Sequence, residues 1–552
     1  MAQQEEVNEM YDRKVSFETL KNDFAWQKEL SVFSKDISHS FNFPFEACDR
    51  YKSTDKHAIQ WEGASGESRS FTYHEMADVS DKVALFLSEN GIRQGDRVAT
   101  LLPRIPELYA ILLGIWKAGA VYVPLFTAFG PEAVQYRIEQ SRTKILFTVP
   151  AFRKNIEAGV QWLEKVVVVG ADQNREAGDL EYSDAIKTLS GSPDHLETAP
   201  DDFSILLFTS GSTGLPKGAV LSYKFFIYHI PYLRYAAWLR PEDNFWCAAD
   251  PAWAYGMLNT FVPMLLGNSI LVFEGLFTPE LCYKLIEKYK ISNFAYAPTA
   301  FRALAAAGSE LRKQYDINIR SLSSAGEPLD AETVNWSSNN FGVPIYDHYG
   351  FTEAGMVINN YNCCDMEIRP GSMGFPVPWH NLVLLDERGN PDDKAMPGRI
   401  AVDRKEYGNY FLGYWEDENK TNASYIGDWF IPGDLAKKDA DGYFWFEGRD
   451  DDVITSAGFR IGPFEVESCL MEHEAVIEAA VVGKLDSAKG EIVKAYVVLS
   501  PGKEKTEGLD EEISLFVKNR LSKHQYPREI EFVSELPKTP SGKIQRFKLR
   551  QG

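Results

Sequence analysis

Strand and helix patterns alternate through the first part of the chain. Residues 96–149 predict a strand, a helix, a strand, a helix and a strand in turn, at 96–102, 106–118, 120–125, 131–140 and 144–149. Pro106 in the first turn and Gly119 just past the end are typical bounds of the first helix. This βαβαβ order predicts a parallel sheet.

A second set of strand-like segments follows the same logic. It comprises 203–208, 269–273, 293–297, 319–324 and 343–348, with helical segments at 279–289 and 330–340. From about Gly371 the pattern changes to short strands with turns, including a hairpin signal at Asp441-Gly442. The C-terminal residues predict their own small α/β unit, with strands at 475–482 and 493–499 and a helix at 509–521.

Charge and cysteine usage narrow the functional classes. The 552 residues carry a formal net charge of −21, which argues against a nucleic-acid or anionic-membrane partner. The six cysteines are scattered without a Cys-x-x-Cys pair, as in a reducing compartment. Residues 1–10 are acidic and polar, unlike a signal peptide, and prolines and charges interrupt the longest apolar stretch, 105–126. We therefore expect a cytoplasmic protein that does not span a membrane.

The first candidate site is a loop directly after the strand at 203–208. It reads Thr209-Ser210-Gly211-Ser212-Thr213-Gly214-Leu215-Pro216-Lys217-Gly218. Glycines let backbone N–H groups approach an anion closely, and the hydroxyls and one lysine add donors. The loop therefore predicts a polyphosphate site, with a mobile Ser/Gly linker as the alternative. It is neither a Walker loop nor a dinucleotide-binding turn.

This loop resembles the signature phosphate loop of the adenylate-forming (AMP-binding) superfamily, which includes acyl-CoA synthetases, luciferases and peptide-synthetase adenylation domains. The resemblance continues in order along most of the chain. It implies that ATP is bound by Thr209, Ser210, Gly211, Ser212, Thr213, Gly214 and Lys217.

Two further segments resemble nucleotide-binding motifs of this family. One, Ser324-Ala325-Gly326-Glu327-Pro328, is similar to the adenine-contacting turn and implies nucleotide contacts for Gly326, Glu327 and Pro328. The other, Tyr349-Gly350-Phe351-Thr352-Glu353, resembles the family's Tyr-Gly-x-Thr-Glu motif. Thr352 would then bond the α-phosphate, and Glu353 would hold Mg²⁺, a hard cation shared with phosphate oxygens. Asp347 and His348 would line the adenine, and Tyr349 belongs to the same nucleotide site.

Segments nearer the C-terminus complete the resemblance. Asp434 is similar to the family's ribose-binding aspartate, with Arg449 beside it, because a carboxylate accepts two hydroxyl donors well. Arg460 would compensate charge near the phosphates and contact CoA, and Gly458 would leave room for the pantetheine arm. Lys543 resembles the catalytic lysine that bridges the substrate carboxylate and the α-phosphate.

The resemblance implies a reaction and an architecture. The reaction is that of an acyl-CoA synthetase, which uses ATP and Mg²⁺ to form an acyl-adenylate and then transfers the acyl group to CoA. The fold class is α/β, with a large N-terminal domain of two βαβ-type subdomains, a small β-barrel-like subdomain, and a small mobile α/β C-terminal domain. We expect a peripheral extension at 1–45, the AMP-binding domain at 46–450 and the C-terminal domain at 451–552. Asp451 would be the hinge between the two half-reactions.

The acid is less constrained by the sequence. By resemblance the acyl pocket includes Trp253, Ala254, Tyr255, Ala325 and Gly350. Acetate-specific relatives carry a tryptophan at the position of Gly350, so glycine there implies room for a short- to medium-chain acid, branched and aryl acids included. The chain departs from the common pattern at Phe351, Ser222-Tyr223, Pro378-Trp379 and Arg399, none of which is needed for adenylation.

Three alternatives stay open at this point. The chain could be a free-standing adenylating enzyme that passes the acyl group to a carrier protein, a luciferase-like enzyme, or a non-catalytic nucleotide-binding relative. A non-catalytic relative should lose the magnesium glutamate or the lysine, yet Glu353 and Lys543 are both present. A further hypothesis is that a lysine acetyltransferase and a deacetylase act on Lys543, because acetylation removes its charge.

Overall fold

The computed structural model describes residues 14–157, 159–170, 176–193, 196–209, 216–392, 397–405, 409–450, 452, 454–456, 459–486, 490–521, 525–539 and 543–550. Within these ranges no helix is both long and apolar enough to cross a membrane. All six cysteines are free thiols.

Helices and strands alternate along the chain, with the following bounds. Before residue 200 the helices are α1 (Phe17–Asp23), α2 (Trp26–Leu30), α3 (Phe43–Ala47), α4 (Tyr73–Glu89), α5 (Pro106–Lys117), α6 (Pro131–Ser141), α7 (Pro150–Arg153) and α8 (Tyr182–Lys187). The strands there are β1 (His57–Glu62), β2 (Ser68–Thr72), β3 (Arg97–Leu101), β4 (Val121–Pro124), β5 (Ile145–Thr148), β6 (Lys165–Val168) and β7 (Leu180–Glu181).

The middle of the chain contributes most of the strands. Its helices are α9 (Lys224–Tyr228), α10 (Ala254–Leu265), α11 (Pro279–Lys288), α12 (Pro298–Ala306), α13 (Ser309–Arg312), α14 (Ala331–Phe341) and α15 (Glu418–Ala423). Its strands are β8 (Phe203–Thr209), β9 (Lys217–Ser222), β10 (Phe245–Cys247), β11 (Ile270–Phe273), β12 (Asn293–Tyr296), β13 (Ser321–Ala325), β14 (Ile345–Phe351), β15 (Gly355–Asn359), β16 (Ser372–Pro376), β17 (Leu382–Leu385), β18 (Gly398–Asp403), β19 (Phe411–Tyr414), β20 (Tyr425–Ile426), β21 (Trp429–Phe430), β22 (Asp434–Lys438) and β23 (Phe444–Arg449).

The C-terminal region forms a third sheet. Its strands are β24 (Ile454–Ser456), β25 (Phe459–Ile461), β26 (Val476–Asp486), β27 (Gly490–Leu499) and β28 (Glu529–Phe532), and its helices are α16 (Pro463–Met471), α17 (Leu509–Arg520) and α18 (Arg546–Leu549). The strand order is β25-β24-β27-β26, and β28 pairs with β27. Apolar side chains such as Val466, Val481 and Ile513 form its own core. The small α/β unit expected here is confirmed, whereas the boundary at 450/451 stays a prediction.

The first sheet has the order β19-β9-β8-β4-β3-β5-β6-β7. Its β3–α5–β4–α6–β5 segment is the predicted βαβαβ unit, and these strands pair in parallel. Helices α4 and α5 pack closely beside it because Gly114 has no side chain. A Cβ at Gly114 would lie 2.6 Å from the Cβ of Val83.

The second sheet runs β2-β1-β11-β10-β12-β13-β14 and continues through β15 and β16 into antiparallel strands β23, β22 and β18. Strand β8, which the sequence pattern groups with these strands, instead pairs with β4 of the first sheet. Strand β1, although it precedes the first sheet in the chain, pairs with β11 of the second. Local periodicity identifies strands but not their partners, so this exchange could not be predicted from the pattern.

Residues 1–45 were expected to be a peripheral extension, and this is wrong for residues 14–45, the part that the structure describes. Phe41 and Phe43 are fully buried, and the Phe43 ring stacks on Phe226 with the centroids 3.8 Å apart. The buried Glu29 carboxylate accepts hydrogen bonds from Arg234 at 2.9 Å and Tyr235 at 2.6 Å. The segment looks polar because its apolar residues are widely spaced, yet those residues belong to the main core.

Candidate nucleotide-binding and active site

The predicted motifs lie at the carboxyl ends of strands from both large sheets. Thr209 is the last residue of β8, Ala325 the last of β13 and Phe351 the last of β14. Ligands of α/β proteins bind at this edge of the sheet, because there the strand ends and loops leave a crevice. Two charged clusters form here, one around Glu353 and one around Asp434.

The Glu353 cluster joins three separate parts of the chain. The Tyr414 hydroxyl donates a hydrogen bond to Glu353 Oε1 at 2.6 Å. The Lys217 ammonium lies 3.5 Å from the same oxygen and 4.1 Å from the centroid of the Tyr414 ring. The Glu353 side chain is only 9% exposed. Burial lowers the pKa of Lys217, and the Glu353 charge opposes that shift.

The Asp434 cluster has the same plan. The Tyr349 hydroxyl donates to Asp434 Oδ2 at 2.5 Å, and Arg449 Nη1 donates to Oδ1 at 3.0 Å. Asp434 and Arg449 are cross-strand partners on β22 and β23. Burial raises the pKa of the Asp434 carboxyl, while Arg449, the Tyr349 hydrogen bond and the Lys543 charge all lower it. Lys543 is therefore within electrostatic range of this site.

The ends of the phosphate loop are fixed by strand pairing. Thr209 on β8 pairs with Lys217 on antiparallel β9, so the segment between them is the tip of a hairpin. The Thr209 hydroxyl is buried, and it has no hydrogen-bond partner in the part of the chain that the structure describes. Ser210, Gly211, Ser212, Thr213 and Gly214 lie outside the described residues.

The predicted adenine turn follows β13. Gly326 has a φ of +98°, which favours glycine, and a Cβ there would meet no atom within 4 Å. This open face suits a flat ring. Glu327 is instead held by the protein, because its Oε2 accepts bonds from Arg302 at 2.8 Å and Thr299 at 2.7 Å. The Pro328 carbonyl faces the same arginine at 3.4 Å.

His348 does not reach the site, contrary to expectation. Side chains alternate along a strand, so Asp347 and Tyr349 share one face of β14 and His348 lies on the other. The buried His348 ring accepts from the Tyr232 hydroxyl at 2.9 Å through Nδ1 and donates to the Asn360 carbonyl at 3.1 Å through Nε2. Burial lowers its pKa to about 3, so the ring is neutral. Burial raises the pKa of Asp347 well above its ordinary value.

Aromatic side chains surround part of the predicted acyl pocket. The Trp253 ring lies 5.4 Å from Phe126 and 6.5 Å from Phe129, between centroids. Ala254 and Tyr255 follow it in the first turn of α10. The Tyr255 hydroxyl is buried and has no hydrogen-bond partner within the described ranges. Ala325 supplies a small side chain at the end of β13.

Gly350 does not open this pocket in the way the sequence suggested. A Cβ at Gly350 would lie 2.3 Å from the carbonyl oxygen of Gly355 on the neighbouring strand β15. The space beside Gly350 is thus filled by backbone. The glycine is required by the close approach of two strands, and it does not by itself indicate a larger acid.

The remaining candidate residues belong to the C-terminal region of the chain. Lys543 is exposed, and its backbone N–H donates to the Thr539 hydroxyl at 3.1 Å. A bridge between Lys538 and Ile544 closes the segment that carries it. Arg460 lies on β25 opposite Thr455. Asp451 and Gly458 lie outside the described residues.

The residues present fit a magnesium–nucleotide complex. Mg²⁺ is usually held by one or two carboxylates together with substrate phosphates and water. No cluster of three or more His, Cys, Asp or Glu side chains able to hold a metal occurs among residues that the structure describes. Glu353 faces Lys217, and Lys217 pairs across β8 and β9 with Thr209, whose buried hydroxyl has no partner among the described residues. A single carboxylate beside such donors matches a metal site that phosphates would complete.

Sequence reasoning missed Tyr414. It lies on β19, which pairs with β9, and its hydroxyl contacts both Glu353 and Lys217. Tyr414 is separated from Glu353 by 61 positions and from Lys217 by 197. No motif in the sequence includes Tyr414, and its position at the end of a short strand does not predict a contact with Glu353 or Lys217.

Comparison with known proteins identifies the family of the chain. The AMP-binding enzyme family matches residues 45–415, and the AMP-binding enzyme C-terminal domain matches residues 465–543. The chain is 38% identical to acetyl-coenzyme A synthetase of Bacillus subtilis, over 97% of this chain and 94% of that protein. The crystal structure of an acyl-CoA synthetase from Brucella canis is 40% identical with a TM-score of 0.78, over 97% and 98% of the two chains. The anthranilate CoA ligase AuaEII in complex with anthranoyl-AMP is 29% identical with a TM-score of 0.84, over 94% and 98%. The chain therefore belongs to the AMP-binding enzyme family and is an ATP-dependent acid–CoA ligase.

Proposed function

We propose that the protein activates a short- to medium-chain acid, with branched and aryl acids included, and that the residues identified above carry the reaction. The carboxylate attacks the α-phosphate of ATP, pyrophosphate leaves, and an acyl-adenylate forms. The CoA thiol then attacks the acyl carbonyl and AMP leaves. The observation that carries this proposal is that both clusters are built on β14 and the turn after it: Tyr349 on β14 holds Asp434, and Glu353, two residues beyond β14, faces Lys217.

Each cluster has a role in the first half-reaction. Asp434 accepts the ribose hydroxyls, with Tyr349 and Arg449 holding its carboxylate in place. Lys217 and the loop from Thr209 to Gly214 bind the phosphates. Thr352 and Glu353 are the residues that would hold Mg²⁺ and the α-phosphate, and the metal would supply positive charge between the phosphates. Lys543 neutralises the repulsion between the acid and the α-phosphate.

The second half-reaction requires a thiol path. We propose that the C-terminal domain rotates about Asp451, so that Lys543 leaves and Gly458 and Arg460 approach the adenylate. The exposure of Lys543 supports a residue that changes its surroundings between steps. The same exposure suits a lysine acetyltransferase and deacetylase, and acetylation would remove the charge that adenylation needs. The reducing setting suggested by six free thiols supports a cytoplasmic location.

Support for the acid class comes from the wall of the pocket. Trp253, Phe126 and Phe129 present rings, and Ala254 and Ala325 are small. Such a wall accepts an aryl or short alkyl group. The related proteins named above range from an acetyl-CoA to an anthranilate CoA ligase, which brackets the same range of size.

The test is pyrophosphate release across acids from acetate to octanoate, with branched and aryl acids, with and without CoA. We expect the highest kcat/KM for an acid larger than acetate, and thioester only when CoA is present. Acetate as the best substrate would contradict the acid class. Pyrophosphate release without any thioester would favour a carrier-protein acceptor, and its absence with every acid would favour a non-catalytic relative.

A further inference from the structure

Tyr414 touches both charged groups of the Glu353 cluster. Its hydroxyl donates to Glu353 Oε1 at 2.6 Å and also accepts a hydrogen bond from the Lys217 ammonium. The same ammonium lies 4.1 Å from the centroid of the Tyr414 ring. The three groups therefore form a closed unit in which the glutamate charge is neutralised without a metal.

The backbone fixes Tyr414 on both sides. Tyr414 pairs with Ala219 across β19 and β9. Its N–H donates to the Thr421 hydroxyl at 2.8 Å, and the N–H of Trp415 donates to the Gly218 carbonyl at 2.7 Å. Only 5% of Tyr414 is exposed. The Tyr414 hydroxyl is thus held in a fixed position, and its hydrogen bond orients the Glu353 carboxylate.

Lys217 contacts the Glu353 carboxylate less closely than Tyr414 does, and its own hydrogen bond goes to the Tyr414 hydroxyl. It is joined to Glu353 by a single ammonium–oxygen distance of 3.5 Å, longer than an ordinary hydrogen bond, and it retains 24% side-chain exposure. A long flexible stem and a face of Tyr414 let this ammonium move while it keeps a favourable cation–π contact. A metal bound at Glu353 would repel the Lys217 ammonium beside the same carboxylate, which weakens the Lys217–Glu353 contact.

We infer that Tyr414 is a positioning residue that keeps the Glu353 carboxylate in a metal-ligand orientation while Lys217 exchanges from Glu353 to the phosphates of the incoming nucleotide. This inference rests on the proposed role of Glu353. Lys217 is the internal substitute for the metal before nucleotide binds, and Tyr414 is the part of the cluster that does not change. The two residues thus have opposite effects on metal binding.

The experiment measures the affinity of the whole enzyme for a non-hydrolysable ATP analogue by calorimetry, with Mg²⁺ and with EDTA. The ratio of the two affinities is the metal contribution. In Tyr414→Phe we expect this ratio to fall about three- to tenfold, because a hydrogen bond to a charged group is lost, with the EDTA affinity little changed. In Lys217→Met we expect the EDTA affinity to fall and the ratio to stay or rise, because the competitor for Glu353 is gone.

Two controls separate the possible failures. Tyr443→Phe removes a comparable bond, from the Tyr443 hydroxyl to the Glu367 carbonyl at 2.7 Å, and should leave the ratio unchanged. Glu353→Gln should reduce the ratio most. A wild-type ratio in Tyr414→Phe beside a reduced ratio in Glu353→Gln would overturn the role of Tyr414 alone. A wild-type ratio in Glu353→Gln would overturn the metal role of Glu353 and the inference with it. A ratio in Lys217→Met as low as in Glu353→Gln would overturn the exchange.

Discussion

Glu353 and Asp434 have nearly identical surroundings, yet their two clusters differ in how firmly the cation is held. Each carboxylate is largely buried and accepts one tyrosine hydroxyl, at 2.6 Å for Glu353 and 2.5 Å for Asp434. Each also faces one cation, Lys217 at 3.5 Å or Arg449 at 3.0 Å. The tyrosine is the shared element, and the cation distinguishes the clusters.

The arginine cannot leave as the lysine can. Arg449 Nη1 also donates to the Pro432 carbonyl at 2.9 Å, and Arg449 pairs with Asp434 across two strands. The Arg449 side chain is 38% exposed, so these two acceptors and the strand pairing, not burial, hold it beside Asp434. Lys217 has one weak contact with its carboxylate. The comparison suggests a permanent carboxylate for the ribose and an exchangeable one for the metal.

Removal of the exchangeable carboxylate should have the largest effect. Glu353→Gln should lower the rate of acyl-adenylate formation by about 10²–10³-fold, in line with loss of one electrostatic contact in a transition state. The affinity for AMP, measured without metal, should change little because Asp434 is intact. Pyrophosphate exchange and AMP titration test this. A large loss of AMP affinity would show that the two clusters are not separate in function.

Asp434→Asn should act on binding instead of the chemical step. We expect ATP and AMP affinities to fall together by about 10- to 100-fold, since hydrogen bonds to a charged acceptor are weakened. The loss should be the same with and without metal. Calorimetry with Mg²⁺ and with EDTA measures both affinities. An equal loss under the two conditions would show that Asp434, unlike Glu353, acts independently of metal. A loss that depends on metal would contradict this difference between the two carboxylates.

The pH dependence of nucleotide binding follows from the same carboxyl. Burial raises the pKa of Asp434 above the ordinary aspartate value of 3.8, against the opposing charges of Arg449 and Lys543. The folded protein therefore takes up this proton at a higher pH than the unfolded chain, so the charged carboxylate costs stability as pH rises through the folded pKa. Nucleotide affinity has the opposite sign, because the ribose needs the ionised acceptor. AMP affinity should fall with decreasing pH from a point above 3.8, and the Asp434→Asn protein should lack this component.

Loss of one tyrosine hydroxyl should have the smallest effect. Tyr349→Phe removes one bond from Asp434 while Arg449 keeps the carboxylate in place. We expect KM for ATP to rise a few-fold, corresponding to about 1 kcal/mol, with kcat unchanged. Steady-state kinetics at saturating acid and CoA measure both constants. A fall in kcat with an unchanged KM would mean that Tyr349 serves the chemical step.

Local sequence was sufficient where the chemistry is carried by consecutive residues. The phosphate loop and the motif from Tyr349 to Glu353 each follow a predicted strand, at 203–208 and 343–348, and the structure ends β8 at Thr209 and β14 at Phe351. Prediction failed where the face of a strand decides the outcome. His348 directly precedes Tyr349 on the same strand. Because successive side chains of a strand point to opposite faces, His348 is buried in the core. The space beside Gly350 likewise depends on β15, which no pattern at position 350 reveals.

The sequence by itself determined the family, the order of the motifs, the reaction class and the residue types that bear charge. Those follow from short segments whose chemistry does not depend on distant parts of the chain. Only the tertiary structure decided which partners neutralise each carboxylate, that residues 14–45 enter the core, and that β8 joins the first sheet and β1 the second. These outcomes depend on contacts between segments far apart in the chain, such as Tyr414 with Lys217 across 197 positions. Packing and strand pairing select such contacts from many that local periodicity would allow equally.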